Sequence, residues 1–130
     1  MQVAINRCYG GFNLSNEAMN KLIEKNSSFL LTYTPKEWFG KNEPNEEQIV
    51  DCMKKNSNVG YKDGKIYFFE VHDKYVRIHS DLIDVLQELG PKANGCFSKI
   101  KIVNVPDDIE FEIDEYDGME SVEEIHRRWY

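Results

Sequence analysis

The chain has no cysteine pair at disulfide or metal spacing, no apolar run of membrane length and, between Pro106 and Ile125, no lysine or arginine at all. Cys8, Cys52 and Cys96 are odd in number and widely separated, and no CxxC or Cys/His cluster accompanies them. That leaves no disulfide framework or zinc site to read and points to reduced thiols. No stretch approaches the roughly 18 apolar residues of a membrane span, and no basic segment followed by a signal-length apolar run opens the chain. The expectation is a cytoplasmic protein with no membrane partner. Neither GxGxxG nor GK[ST] occurs, so Gly10-Gly11 is not part of a dinucleotide fingerprint or a P-loop.

What is present fits one domain. A chain of 130 residues is long enough to bury a real core without staples. Its net charge of −7 is unevenly placed: ten of the acidic residues lie between Pro106 and Ile125, and the rest of the chain carries a formal +3. An acidic edge repels nucleic acid or imitates it, while a basic-to-neutral body suits a small anion.

Periodicity and caps outline the elements. "MQVAINRC" alternates Val3 and Ile5 with polar neighbours and predicts a strand. Ser15 is an N-cap candidate for a helix whose apolar face is Ala18, Met19, Leu22 and Ile23, with Leu14 stapled onto Met19. Residues 29–44 predict a short extended piece and then a loop broken by Pro35, Gly40 and Pro44. Asn45 and Gln48 form a capping pattern for a second helix, with Ile49, Val50 and Met53 on one side. Runs 65–71 and 74–79 predict a hairpin turning at His72-Asp73. Ser80 then caps a helix carrying Leu82, Val85, Leu86 and Leu89, stopped by Gly90-Pro91. "SKIKIVNVP" and "IEFEIDEY" alternate as strands, and Ser121 with Glu124 suggests a C-terminal helix packed through Val122, Ile125 and Trp129. The sum is an α+β fold, a single domain over 1–130 with a mixed or antiparallel sheet packed against three to four helices.

Two constellations could hold an anion. In "RCYGGF", Gly10 and Gly11 would let a phosphate approach backbone N–H groups near a helix N-terminus; Arg7 and Lys21 would neutralise it, and Tyr9 or Phe12 would stack on a base. The plain alternative is a tight turn with core aromatics. In "RIHSD", Arg77 and His79 would share one face of a strand just before a helix, a second anion site facing the first; alternatively Arg77 pairs with a nearby carboxylate. Glu110, Glu112 and Asp114 predict a solvated strand face that blocks edge association, with a metal site or a row mimicking DNA phosphates as the sharper readings. Trp129 reads as a core anchor, with Arg127 and Arg128 favouring a helix C-terminus. Cys8 has no identifiable base and reads as an inert thiol; no catalytic residue, metal ligand or cofactor is assigned.

The segments "VAINRCYGGFNLSNEA", "RIHSDLIDVLQELGPKANGCFSKIKIVNVPDDIEFEIDEYDG" and "EEIHRRW" together resemble a family of small proteins carried by bacteriophages and bacterial genomes. The resemblance covers both ends and about half of the chain, and leaves residues 29–70 unmatched. It implies phage origin and action in the bacterial cytoplasm, and carries no agreed reaction. By analogy with small phage factors that counter host defence, it suggests a sponge that sequesters a nucleotide-derived immune signal without catalysis. The alternatives are an acidic inhibitor that meets a host protein through residues 107–124 and, more weakly, a metal-dependent nucleotide hydrolase. A homo-oligomer is compatible with the first of these.

Overall fold

The computed structural model describes residues 1–125 and shows an α+β domain. Gln2–Asn6 (β1) starts the chain, followed by helix Asn16–Glu24 (α1), strand Leu31–Tyr33 (β2) and helices Pro35–Phe39 (α2) and Glu46–Lys55 (α3). Strands Val59–Lys62 (β3) and Lys65–Phe68 (β4), helix Ser80–Leu89 (α4), and strands Ile100–Asn104 (β5), Phe111–Tyr116 (β6) and Met119–Glu124 (β7) complete the described residues. The strands form separate antiparallel sheets: a β1–β5 ribbon, a β2–β4–β3 sheet and a β6–β7 hairpin.

The β1–β5 ribbon is the middle layer. Its register sets Val3 opposite Val103 and Ala4 opposite Ile102. Alternation then sends Ala4, Ile100 and Ile102 toward the main core, where α1 and α4 bury Met19, Leu22, Leu82 and Val85. The opposite face sends Val3, Ile5 and Val103 to Phe111, Ile113 and Val122 of the β6–β7 hairpin. The β2–β4–β3 sheet builds its own cluster with α3, through Ile49, Met53, Val59 and Ile66. Fully burying each such side chain contributes about 1.5–3 kcal/mol.

The capped helices form where expected. The Ser15 hydroxyl accepts the Ala18 N–H, and Asn45 and Gln48 make a reciprocal capping box. Residues 34–42, expected as loop, instead start a short helix: Pro35 occupies its first turn, where the missing N–H costs nothing, and Thr34 and Glu37 cap each other. The Thr34 backbone N–H, then its hydroxyl, hold the Glu37 carboxyl below the ordinary glutamate range. The cap of α4 is His79 rather than Ser80, with Nδ1 accepting the Asp81 N–H at 3.1 Å.

Two further expectations are corrected. The hairpin does not turn at His72-Asp73; it turns at Asp63-Gly64, both residues having positive φ, and joins β3 to β4. Asp73 instead accepts the Tyr75 N–H on its side chain and the Val76 N–H on its carbonyl, and winds 76–78 into a 3-10 turn. Residues 121–124 are strand, because Asp117-Gly118 makes the same kind of turn and returns β7 along β6 with Val122 opposite Ile113. Of the expected C-terminal helix, Trp129, Arg127 and Arg128 lie outside the described residues.

The Asp117-Gly118 turn rides on the glycine pair. Gly10 N–H donates to the Asp117 carbonyl at 3.1 Å, and a Cβ on Gly118 would lie 2.7 Å from the Gly10 nitrogen and overlap the Gly11 nitrogen. Gly118→Ala should therefore destabilise the fold by about 2–4 kcal/mol, through overpacking and its positive φ. Gly11→Ala, where an added Cβ meets nothing within 4 Å, should cost about 1 kcal/mol, from its positive φ alone. Equilibrium denaturation of the two variants distinguishes a backbone contact from turn strain.

Candidate functional site

Arg77 is the most buried charge in the described chain, 3% exposed, and its partner Glu120 is 6% exposed. Nη1 donates to Glu120 Oε1 at 2.7 Å and Nη2 to Oε2 at 2.9 Å, a bidentate pair. Nε and Nη2 also reach the Val71 carbonyl, and Nη1 the Ala4 carbonyl. The guanidinium carbon lies over the Phe12 ring, 3.8 Å from its centroid, and Phe12 in turn stacks on Phe69. Glu120 Oε1 accepts the Asn6 N–H as well. The 3-10 turn, β1 and β7 thus meet at one ion pair.

The two anticipated anion sites do come together, yet the chain fills them itself. The anion beside Arg77 is the Glu120 carboxylate, and the acceptor above Gly10 is the Asp117 carbonyl. Phe12 is core. His79 does not share a strand face with Arg77; it caps α4 and packs its ring edge on Phe29, 4.8 Å between centroids. Lys21 pairs with Glu88 across the α1–α4 contact at 3.3 Å. Of the cations and aromatics in the expected site, Arg7 and Tyr9 remain at the surface.

Arg7 lines a cleft of about 310 Å³ between the β1–β5 ribbon and β7, with Ile5, Lys101, Val103, Val105 and Val122. One guanidinium nitrogen of Arg7 donates to the Glu120 carbonyl at 2.8 Å, and its other donors meet no partner among the described residues. Arg7 N–H donates to the Lys99 carbonyl, so the ribbon pairing continues and puts Lys99 opposite Arg7, as Lys101 is opposite Ile5. Alternation places Arg7, Lys99 and Lys101 on one face. None of the three makes an ion pair among the described residues.

The acidic block occupies the adjoining hairpin. Glu112, Asp114 and Glu123 are exposed on its outer face, and Glu112 sits directly opposite Glu123, an unfavourable like-charge pair. A second cleft, about 230 Å³, lies where this hairpin meets the Arg77 turn and is lined by His72, Lys74, Glu112 and Glu115 as well as the buried pair. Among the described residues no three His, Cys, Asp or Glu side chains converge as a metal ligand set. The Cys8 thiol donates to the Phe97 carbonyl at 3.0 Å and has the Asn6 side-chain oxygen and the Tyr9 carbonyl as its other partners.

Sequence reasoning passed over Lys99 and Lys101, although their alternation in "SKIKIV" was the signal, and over Glu120, whose role depends on a partner 43 residues away. No family model, curated protein or solved structure matches the chain.

The pair makes a sharp stability prediction. Glu120→Ala should cost about 3–5 kcal/mol, because it leaves Arg77 charged and buried without a partner. Replacing both residues together, Arg77→Met with Glu120→Leu, should recover most of that loss. Chemical denaturation of the single and double variants checks it through the coupling energy.

Proposed function

We propose that the protein is a non-enzymatic capture protein that holds a small anionic, nucleotide-like ligand in the Arg7–Lys101 cleft. The carrying observation is that cleft: Arg7 and Lys101 beside an apolar wall of Ile5, Val103, Val105 and Val122, in a chain whose net charge is −7. Cations that make no ion pair among the described residues of so acidic a chain suit an external anion, and the apolar wall suits the uncharged part of the same molecule. In the phage setting that the sequence resemblance implies, the cargo would be a nucleotide-derived host immune signal, sequestered in the bacterial cytoplasm.

A second reading is favoured by the Glu112–Glu123 pairing, a like-charge surface that lowers stability and so suits a basic partner. In it the β6–β7 hairpin mimics nucleic-acid phosphates and occupies a host enzyme. Competition with duplex DNA for such an enzyme, lost when Glu112, Asp114 and Glu123 are all changed to Gln, would favour this reading.

The capture reading is tested by thermal shift and calorimetric titration against cyclic oligonucleotides, cyclic ADP-ribose isomers and mononucleotides, with bound compound recovered and its mass measured. A stabilising ligand recovered intact is expected. Arg7→Ala and Lys101→Ala should each weaken it about tenfold or more, the loss expected for one charge-assisted contact. Recovery of a compound of altered mass would make the protein an enzyme instead.

A further inference from the structure

We infer that Tyr9 and Phe97 form a stacking platform for the aromatic base of the captured ligand, beyond the end of β1 and beside the cations that take its anionic group; this rests on the capture reading above. Both rings are strongly exposed, Tyr9 at 62% and Phe97 at 78%. Exposure of a single ring is ordinary, but these two belong to loops locked against each other. The Cys8 thiol donates to the Phe97 carbonyl, and Gly10 is pressed so closely on Phe97 that a Cβ there would sit 2.8 Å from the Phe97 Cβ. The Asp117 carbonyl also holds Gly10, by accepting its N–H at 3.1 Å.

Phe97 also has φ +59, a left-handed backbone that a bulky aromatic rarely adopts. That conformation gains no burial for the ring it carries. Such strain persists only where the surroundings enforce it, here through the Cys8 and Gly10 contacts, and residues held this way cluster at ligand sites. A flat apolar ring held in water by a rigid loop offers stacking at little entropy cost.

Chain order sets the platform beside the cations. Lys101 is opposite Ile5 and the Arg7 N–H donates to the Lys99 carbonyl; past the strand end at Asn6, Cys8 and Gly10 contact Phe97 in the turn that carries Tyr9. Tyr9 follows Arg7 by two residues of chain, at most about 7 Å away. A ligand that uses both features carries an aromatic base at one end and a phosphate or similar anion at the other. A simple phosphate or sugar phosphate would use only the cations.

The experiment compares base-bearing and base-free probes on the intact chain by calorimetry: AMP, ADP and ADP-ribose against ribose 5-phosphate and pyrophosphate. The base-bearing probes should bind about tenfold or more tightly than the base-free ones. Tyr9→Ala and Phe97→Gly should remove that difference, Tyr9→Phe should retain it, and Arg7→Ala should weaken both groups. Phe97→Gly relieves the strained backbone, so its melting temperature should not fall and loss of binding cannot be assigned to unfolding. Equal affinity for both groups, or unchanged binding in the Tyr9 and Phe97 variants, would overturn the platform while leaving capture intact. No binding at millimolar concentration of any probe, the cyclic oligonucleotides and cyclic ADP-ribose isomers included, would overturn both.

Discussion

The buried bidentate pair between Arg77 and Glu120 is the contact on which the other parts of the molecule converge. One carboxylate receives the Arg77 fork and the Asn6 backbone N–H; one guanidinium also holds the carbonyls of Val71 and Ala4 and covers the Phe12 ring. Such a pair adds little net stability over an apolar replacement, because desolvation of both ions offsets their attraction. Removing one partner alone would strand the other charge in the interior, so the pair ties the β6–β7 hairpin to the 3-10 turn and the ribbon.

That docking is reinforced at the hairpin tip, where Asp117-Gly118 lies on Gly10-Gly11 and Asn6 Nδ2 reaches the Gly118 carbonyl. Asn6 is fully buried, and its Oδ1 accepts from Lys99 N–H and Ser98 as well, so a single amide joins β1, the hairpin tip and the loop before β5. The glycine turn and the Arg77 turn are therefore spent on internal assembly. What the assembly leaves outside is a ribbon face with Arg7, Lys99 and Lys101, the exposed rings of Tyr9 and Phe97, and an acidic outer face on the β6–β7 hairpin. The capture proposal rests on this polarised surface, whose cation side carries a cleft of about 310 Å³.

The local grammar of the fold was legible residue by residue. Asn45 and Gln48, Ser15, and the Leu82, Val85, Leu86 spacing read correctly because caps and helical faces depend on neighbours within four positions. The alternation in β1, β5 and β6 read correctly for the same reason. Both Asp-Gly turns carried the strongest short-range hairpin signal, and the one at Asp117-Gly118 was masked by a Ser121/Glu124 spacing that imitates a capping box. Segment 74–79 looked like strand from its β-branched and aromatic content, but Arg77 draws its neighbourhood inward and the Asp73 side chain closes a turn.

The sequence by itself determined the α+β class, the apolar faces of the principal helices, the ribbon strands and the concentration of negative charge near the end of the chain. Each follows from interactions between residues a few positions apart or from composition. Only the tertiary structure decided that Arg77 and Gly10-Gly11 serve the interior while Lys99, Lys101 and Phe97 face outward. The reason is that Arg77 is equally suited to a bound anion and to a buried carboxylate, and a glycine pair equally suited to a phosphate and to a passing backbone. Which one it meets depends on a hairpin some forty residues from Arg77 and more than a hundred from the glycines.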